Sequence, residues 1–432
     1  MSDRFVLIGL AGPRCEWFAR VSRWATEAVI PADFIKAISA EEVRARLDTG
    51  RRFSVVLLDA TVKAVDRDLL DAIRAVGCAA VVVTDHRVQR DWEALGAHAT
   101  LEAGFDRDEL VRLLATHARS VPRVDAVDPG ALTTPDDGRW QCPVISVTGA
   151  AGCGVSTVAM AVAQGLAQDA RHLPVALADF ALDADLAVLT DAGDVVPGVQ
   201  DLVEAHRLGT PTPDTVRSLL FPIPRGGYDL LAGLREPDDW PMLRRGSTEA
   251  ALAGLRHAYR VLVVDHDADL SGEAETGCRD LEDRNALARA VADVASAVAV
   301  VGRQSTQGLH RHVRITRRLL RVLHPSVVVV PVVNHAPRRT LGRADVREAF
   351  ATLAEAEDRR MATPVFLGHS RGLEACLLDG AGLPRPLVDP VTDAVEPHVR
   401  RPPRRRTRAD DEPGHRIGER ELGHWSDDGE AA

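Results

Sequence analysis

Apolar residues follow two spacings in this chain, and the two alternate. Largely apolar runs at Phe5–Leu10, 53–58 and Ala79–Thr84 read as strands covered on both faces. Between them the apolar positions recur every three or four residues, as on a helix. Ser39 followed by Glu42 forms a capping box that opens one helix. Residues 66–76 read as a second, and 106–118 as a third with Leu110, Leu113 and Leu114 inward. Strand alternating with helix predicts a parallel, doubly wound sheet over residues 1–118. Residues 119–139 are rich in Pro, Asp and Gly without a period, and read as a linker. The alternation then resumes. Strands are expected at 144–147, 175–178, Tyr228–Leu231, 260–265, 297–301 and 326–333, with helices at 198–206 and 306–323. The valine run 326–333 suits a strand buried on both faces, although Pro331 is expected to interrupt its hydrogen bonding. Residues 363–390 add a last strand and helix. From 396 to 432 the chain is Pro, Arg, Asp, Glu and Gly with few apolar residues, and a disordered tail is expected. The predicted fold class is α/β: two doubly wound parallel-sheet domains, 1–118 and 140–395, plus that tail.

Charge and composition narrow the partners. A net charge of −10 argues against a general nucleic-acid coat, so no specific nucleic acid is expected. No apolar run reaches transmembrane length. The opening Met-Ser-Asp-Arg lacks a signal-peptide pattern, which predicts a cytoplasmic protein. Six scattered cysteines, without a C-x-x-C pair, read as small buried residues of a reducing compartment. No metal cluster is expected. Six arginines between Arg400 and Arg408 could draw the tail weakly to an anionic membrane. Lysine occurs only at Lys36 and Lys63 among 53 Lys and Arg residues, so the second domain contains none.

That shortage falls on the chain's central motif. After the apolar run ending at Val147 come Thr148, Gly149, Ala150, Ala151, Gly152, Cys153, Gly154, Val155, Ser156 and Thr157, then a helix through Met160, Val162 and Leu166. Strand, glycine turn and helix match the phosphate-binding frame G-x-x-x-x-G-K-[ST]. Glycines let backbone amides approach phosphate, and the helix N-terminus adds positive partial charge. Val155 stands where the phosphate-gripping lysine belongs. Ser156 is placed to hold Mg²⁺, and Asp265, ending an apolar strand, is placed as the supporting Walker B carboxylate. Losing a lysine donor costs about 2.7–4 kcal/mol of barrier, a factor of roughly 10²–10³. Hydrolysis is therefore expected to be very weak or absent; Arg303 is a candidate replacement charge.

The first domain's order resembles a response-regulator receiver. Asp59 falls at the phosphoacceptor position and Thr84 at the switch hydroxyl. The acidic metal-binding pair is replaced by Leu10 and Ala11, and the lysine after the last strand by Ala103-Gly104-Phe105. Phosphorylation needs that metal and lysine. Asp59 is thus read as a pseudo-phosphoacceptor in a docking or dimerising pseudo-receiver.

The second domain resembles the MinD/ParA family of deviant-Walker ATPases, whose loop reads K-G-G-x-G-K-[ST]-T. Here the signature lysine is Ala150 and the phosphate lysine Val155. The family's D-x-D appears as Asp179-Phe180-Ala181, with the switch aspartate Asp179 kept and its partner lost. The family's adenine-contacting asparagine matches Asn334. A pseudo-receiver before such a domain, with Pro197-Gly-Val-Gln-Asp-Leu-Val203 and Tyr228-Asp-Leu-Leu-Ala-Gly-Leu234, resembles the CpaE/TadZ-like, septum-site-determining subgroup. The resemblance implies weakly held ATP and Mg²⁺ on 149–157 and Asn334. It also implies a homodimer, and a spatial regulator recruiting pilus-assembly or cell-division proteins at the inner face of pole or septum. The alternative is an active MinD/ParA-type ATPase cycling on membrane or DNA.

Overall fold

The computed structural model describes residues 5–12, 15–47, 51–85, 88, 90–118, 140–336, 340–353, 360–370 and 372–399. The expected linker 119–139 and the arginines from Arg400 to Arg408 lie outside them.

The first unit is a five-stranded parallel sheet of β1 (Phe5–Leu10), β2 (Ala32–Ala37), β3 (Val55–Asp59), β4 (Ala79–Thr84) and β5 (Ala99–Glu102), in the order 2-1-3-4-5. This is one of the two common doubly wound orders. Alternate strand residues feed two cores. Ile8, Val56, Leu58 and Val82 meet the helices Ala40–Leu47 and Arg67–Ala75 on one face. Leu7, Val55, Leu57 and Val81 meet Glu16–Thr26 and Arg107–His117 on the other. Local chemistry sets the helix starts as the sequence predicts. Ser39 Oγ accepts from Glu42 N at 3.1 Å, and Asp66 and Asp106 each accept a third-residue amide. The edge strand β2 carries no alternation and escapes the pattern reading.

The second unit is an eight-stranded sheet. Its strands are β6 (Val144–Gly149), β7 (Val175–Phe180), β8 (Phe221–Ile223), β9 (Tyr228–Leu231), β10 (Val261–His266), β11 (Ala297–Arg303), β12 (Val328–Ala336) and β13 (Val365–Gly368). The order is 13-12-11-6-10-7-9-8, parallel except for the antiparallel β8–β9 edge. Ile145 and Val147 pack beneath the helices Val155–Ala167 and Arg385–Val399; Val144 and Leu262 face Val199–Leu208, Arg245–Ala258 and Ala286–Val294. Two expectations change. Strand β12 runs through Pro331, which keeps register with Val300 but has no N–H to donate, and it continues past Asn334 to Ala336, beyond the expected end. The last helix extends to Val399, with Val395 and Val399 buried, so the expected boundary at 395/396 falls inside a packed helix. The six cysteines also divide: Cys78, Cys142 and Cys153 are buried, while Cys15 and Cys376 are half-buried and Cys278 is exposed.

The two units are bonded to each other. Arg67 donates to the His206 carbonyl at 2.8 Å, and Arg207 pairs with Asp66 at 2.8 Å. Asp68, buried, accepts from the amide and hydroxyl of Ser247, the third residue of the helix Arg245–Ala258. That helix has no side-chain cap of its own, so Asp68 caps it from the other unit. Gly246 permits the approach, because a Cβ there would fall 2.4 Å from Asp71 Oδ2.

Candidate nucleotide-binding site

The site lies at the C-terminal edge of the larger sheet, where β6 passes into the helix Val155–Ala167. Gly149 crosses so close to β11 that a Cβ would sit 2.2 Å from the Val301 carbonyl oxygen. Gly152 and Gly154 take left-handed conformations, with φ of 73° and 88°. Gly154 caps the helix without a side chain, which leaves the first-turn amides facing outward at the positive end of the dipole. A phosphate could lie there.

The residues replacing lysine point elsewhere. Ala150 and Val155 are half-buried against the hydrophobic core, and Cys153 is 5% exposed beneath the turn. Arg303, at the exposed end of β11, lies beside the loop. Burial pushes the Cys153 thiol up, and the charges of Arg303 and Arg311 work against that rise.

Asn334 does not present a free amide to a base. Its Nδ2 donates to the Cys153 carbonyl at 2.9 Å, and its Oδ1 accepts from His335 N at 2.8 Å. A Cβ on Gly154 would fall 2.5 Å from the same Nδ2. In this arrangement Asn334 pins the loop. His335, beside it, has a φ of 54° and stacks on His369.

Four carboxylates gather near Ser156. Asp179 and Asp265 are register partners on β7 and β10, 1% and 2% exposed. The Ser156 hydroxyl donates to Asp265. Asp265 Oδ2 has no hydrogen-bond partner. Burial pushes Asp265 up to about 7 against the Ser156 bond, and Asp267 and Asp185 add repulsion. Burial and the neighbouring Asp265 charge hold Asp179 well above the usual carboxylate range. Asp179 organises the following turn by accepting from Ala181 N at 3.2 Å and Leu186 N at 2.9 Å. An orphaned buried carboxylate oxygen beside a hydroxyl, with further acids around it, fits a hard divalent cation such as Mg²⁺. Ser156 and Asp265 would hold it, and it would neutralise phosphate charge.

Two contributors escaped the sequence reading. Asp267 accepts from Leu182 N at 2.9 Å and so ties the end of β10 to the switch turn. His266, 3% exposed, bridges Ser146 Oγ at 2.6 Å and the Asp267 carbonyl at 2.7 Å. A carbonyl only accepts, so Nδ1 carries the proton and Nε2 accepts from Ser146. Both residues were visible as Asp265-His266-Asp267, but only a single carboxylate is asked of that strand end by the motif.

In the first unit Asp59 is 6% exposed and saturated. It accepts from Cys15 Sγ at 3.0 Å, Trp17 Nε1 at 3.1 Å, Thr61 N at 2.8 Å and Thr61 Oγ1 at 2.5 Å. Burial alone would raise its pKa; the bonds from Thr61, Cys15 and Trp17 outweigh it and hold the carboxyl below its usual range. Burial and Asp59 push the Cys15 thiol up to about 12. Thr84 Oγ1 donates to the Leu101 carbonyl at 3.1 Å, away from Asp59's bonding set.

No protein-family model and no curated protein matches this chain. Among solved structures it is similar to a ParA family ATPase from Chlorobium tepidum TLS, at 14% identity over 59% of this chain and 98% of that one, with a TM-score of 0.46. The cell division ATPase MinD of Pyrococcus furiosus gives 15%, 59% and 97%, with a TM-score of 0.42. The septum site-determining protein MinD of Pyrococcus horikoshii, complexed with Mg-ADP, gives 15%, 59% and 95%, with a TM-score of 0.42. At such values the likeness carries no argument, and the site's own geometry must. Among the described residues no helix is long and apolar enough to cross a membrane.

Proposed function

We propose that this chain is a MinD/ParA-like spatial regulator of the CpaE/TadZ-like kind. Its second unit binds nucleotide weakly with Mg²⁺ and hydrolyses it very slowly or not at all. The observation that carries this reading is the asymmetry of the site. The outward amides of the loop and the Ser156–Asp265 pair are kept, while Val155 and Ala150 turn into the core where the family has cations. A site with acceptor ligands for a cation but no lysine for the transition state can hold a nucleotide better than it can split one. Arg303 is the charge beside the loop that could compensate in part.

The first unit acts as a pseudo-receiver in this reading. Its 2-1-3-4-5 sheet is the receiver order, and its Asp59 is already satisfied by this chain's own donors. The protein works as a homodimer through the loop face of the second unit, where Ala151 and Gly152 leave room for a second backbone. It recruits pilus-assembly or cell-division proteins at the inner face of the membrane.

The test is a calorimetric titration of ATP with Mg²⁺ into wild type, Val155→Lys and Asp265→Asn. Wild type should bind weakly, Val155→Lys more tightly, and Asp265→Asn should lose the Mg²⁺ dependence. Turnover of about 1 s⁻¹ or more by the wild type, within the common enzyme range, overturns the reading. Light scattering of wild type and Ala151→Arg tests the pairing. A wild type that stays monomeric with nucleotide present, or a dimer indifferent to the arginine, removes the loop face as the contact.

A further inference from the structure

A second cluster stands at the far end of the P-loop helix. Beyond Ala167 the chain turns through Asp169 and His172, and Glu396 reaches the same place from the helix Arg385–Val399. His172 is 6% exposed, and its Nε2 makes no hydrogen bond. That nitrogen faces Glu396 Oε1 at 3.5 Å and Asp169 Oδ2 at 3.8 Å. One ligand atom from each residue lies within 4.8 Å of the other two. A buried imidazole nitrogen without a hydrogen-bond partner is costly, and two carboxylate oxygens on one side of it are acceptors.

We propose that Asp169, His172 and Glu396 are a three-ligand site for a divalent transition-metal ion, with Zn²⁺ as the probe. The spacing supports this. Zinc bonds of about 2.0–2.2 Å in a tetrahedron hold ligand atoms about 3.3–3.6 Å apart. The 3.5 Å and 3.8 Å separations are within a few tenths of an ångström of that, so binding needs little movement. The chemistry selects the ion class: an imidazole in the set favours Zn²⁺ and its neighbours over Mg²⁺ or Ca²⁺. Three protein ligands leave the fourth position to solvent.

Arg171 is the competitor. Its guanidinium is bonded to Asp169 and lies 3.5 Å from Glu396 Oε1, so it supplies positive charge to both carboxylates. Its side chain is 66% exposed and can swing into solvent when a metal enters. A bound ion would staple the last helix to the turn that ends the P-loop helix. That helix would then be fixed at both ends, by Asn334 at the loop and by metal at the tail. The site does not depend on the nucleotide reading.

The test is a titration of Zn²⁺ into metal-stripped full chain, with melting followed in parallel. The wild type should show one site at micromolar or tighter affinity and a zinc-dependent rise in melting temperature. His172→Ala and Glu396→Gln should weaken binding by more than the roughly 10–100-fold that loss of an outer-shell partner costs. Arg171→Ala should bind more tightly than wild type, because the competing cation is gone. His369→Ala, which breaks the stacked His335–His369 pair, should leave this site unchanged. Metal-free melting of Glu396→Gln, altered at a half-exposed side chain, separates lost ligation from lost fold. Wild type that binds no zinc, or zinc binding that survives both His172→Ala and Glu396→Gln, overturns the proposal. So does an Arg171→Ala variant with unchanged or weaker affinity, which would leave an ion-pair network only.

Discussion

Both units place an aspartate at the C-terminal end of a central strand, and the two carboxylates are in opposite states. Asp59 accepts four hydrogen bonds from its own chain and is held below the usual carboxylate range. Asp265 has an oxygen with no partner and is pushed up to about 7. In sequence they look alike, each an acid closing an apolar run. The difference comes from what the segments packed around each strand end supply. Around Asp59 these are donors: a thiol, an indole, a hydroxyl and an amide. Around Asp265 one hydroxyl, that of Ser156, is opposed by the carboxylates Asp185 and Asp267. A strand-end acid is therefore a site only where the chain leaves it wanting a cation.

The contrast can be broken most sharply at Asp59. Asp59→Ala should destabilise the protein by about 2–4 kcal/mol in urea unfolding, because hydrogen bonds to a charged group are lost and buried donors are stranded. The sign with pH follows. Its depressed native pKa contributes stability that is present above about pH 4 and lost as pH falls through the native value. A near-neutral substitution would mean the donors are not holding the carboxylate. Mass measurement after acetyl phosphate should also find no stoichiometric adduct on Asp59.

Asp265→Asn should do the opposite, adding about 1–3 kcal/mol at pH 8 in the absence of metal by removing an unsatisfied buried charge. Because the native pKa of Asp265 lies above its unfolded value, stability falls as pH rises from about 4 to about 7. The asparagine variant should lose that slope. Mg²⁺ competes with the proton, so Mg-dependent nucleotide binding should strengthen as pH rises through about 7 in wild type alone. A pH-independent Mg²⁺ response would erase the distinction between the two acids.

The smallest effect is expected at Asn334. Asn334→Ala removes the neutral hydrogen bond to the Cys153 carbonyl together with the local one from His335 N, and the loop-pinning bond should cost about 0.5–1.5 kcal/mol. If it pins the loop, the loss should appear as faster amide exchange over residues 150–155. Loss of nucleotide affinity with unchanged exchange would return Asn334 to contact with the base.

Much of the fold was legible because buried parallel strands are valine-rich runs, and because Ser39 with Glu42 announces a helix. The glycine frame of the loop was equally clear. What the sequence hid was decided by distant partners. Strand β2, Ala-Asp-Phe-Ile-Lys-Ala, has no period, and the three-residue edge strand β8 is held only by its antiparallel pairing with β9. Asn334 matched a base-contacting position, but its reach to a loop 181 residues earlier is a tertiary fact. Val155 was plain as a missing lysine; that it packs inward was not. His172 carried no signal, because its two carboxylates are 3 and 224 positions away.

The cap that Asp68 places on the helix Arg245–Ala258 gives the chain a direction of assembly. Synthesis runs from the N-terminus, and N-terminal domains generally fold first. The first unit can close, and fix Asp68 on its surface, while the ribosome is still more than a hundred residues short of Ser247. When Arg245–Ala258 emerges it meets a finished docking post, with Gly246 shaped to slide under Asp71. The N-terminal unit thus carries the cap for a helix of the larger sheet. A chain made without it would deliver that helix with no cap waiting.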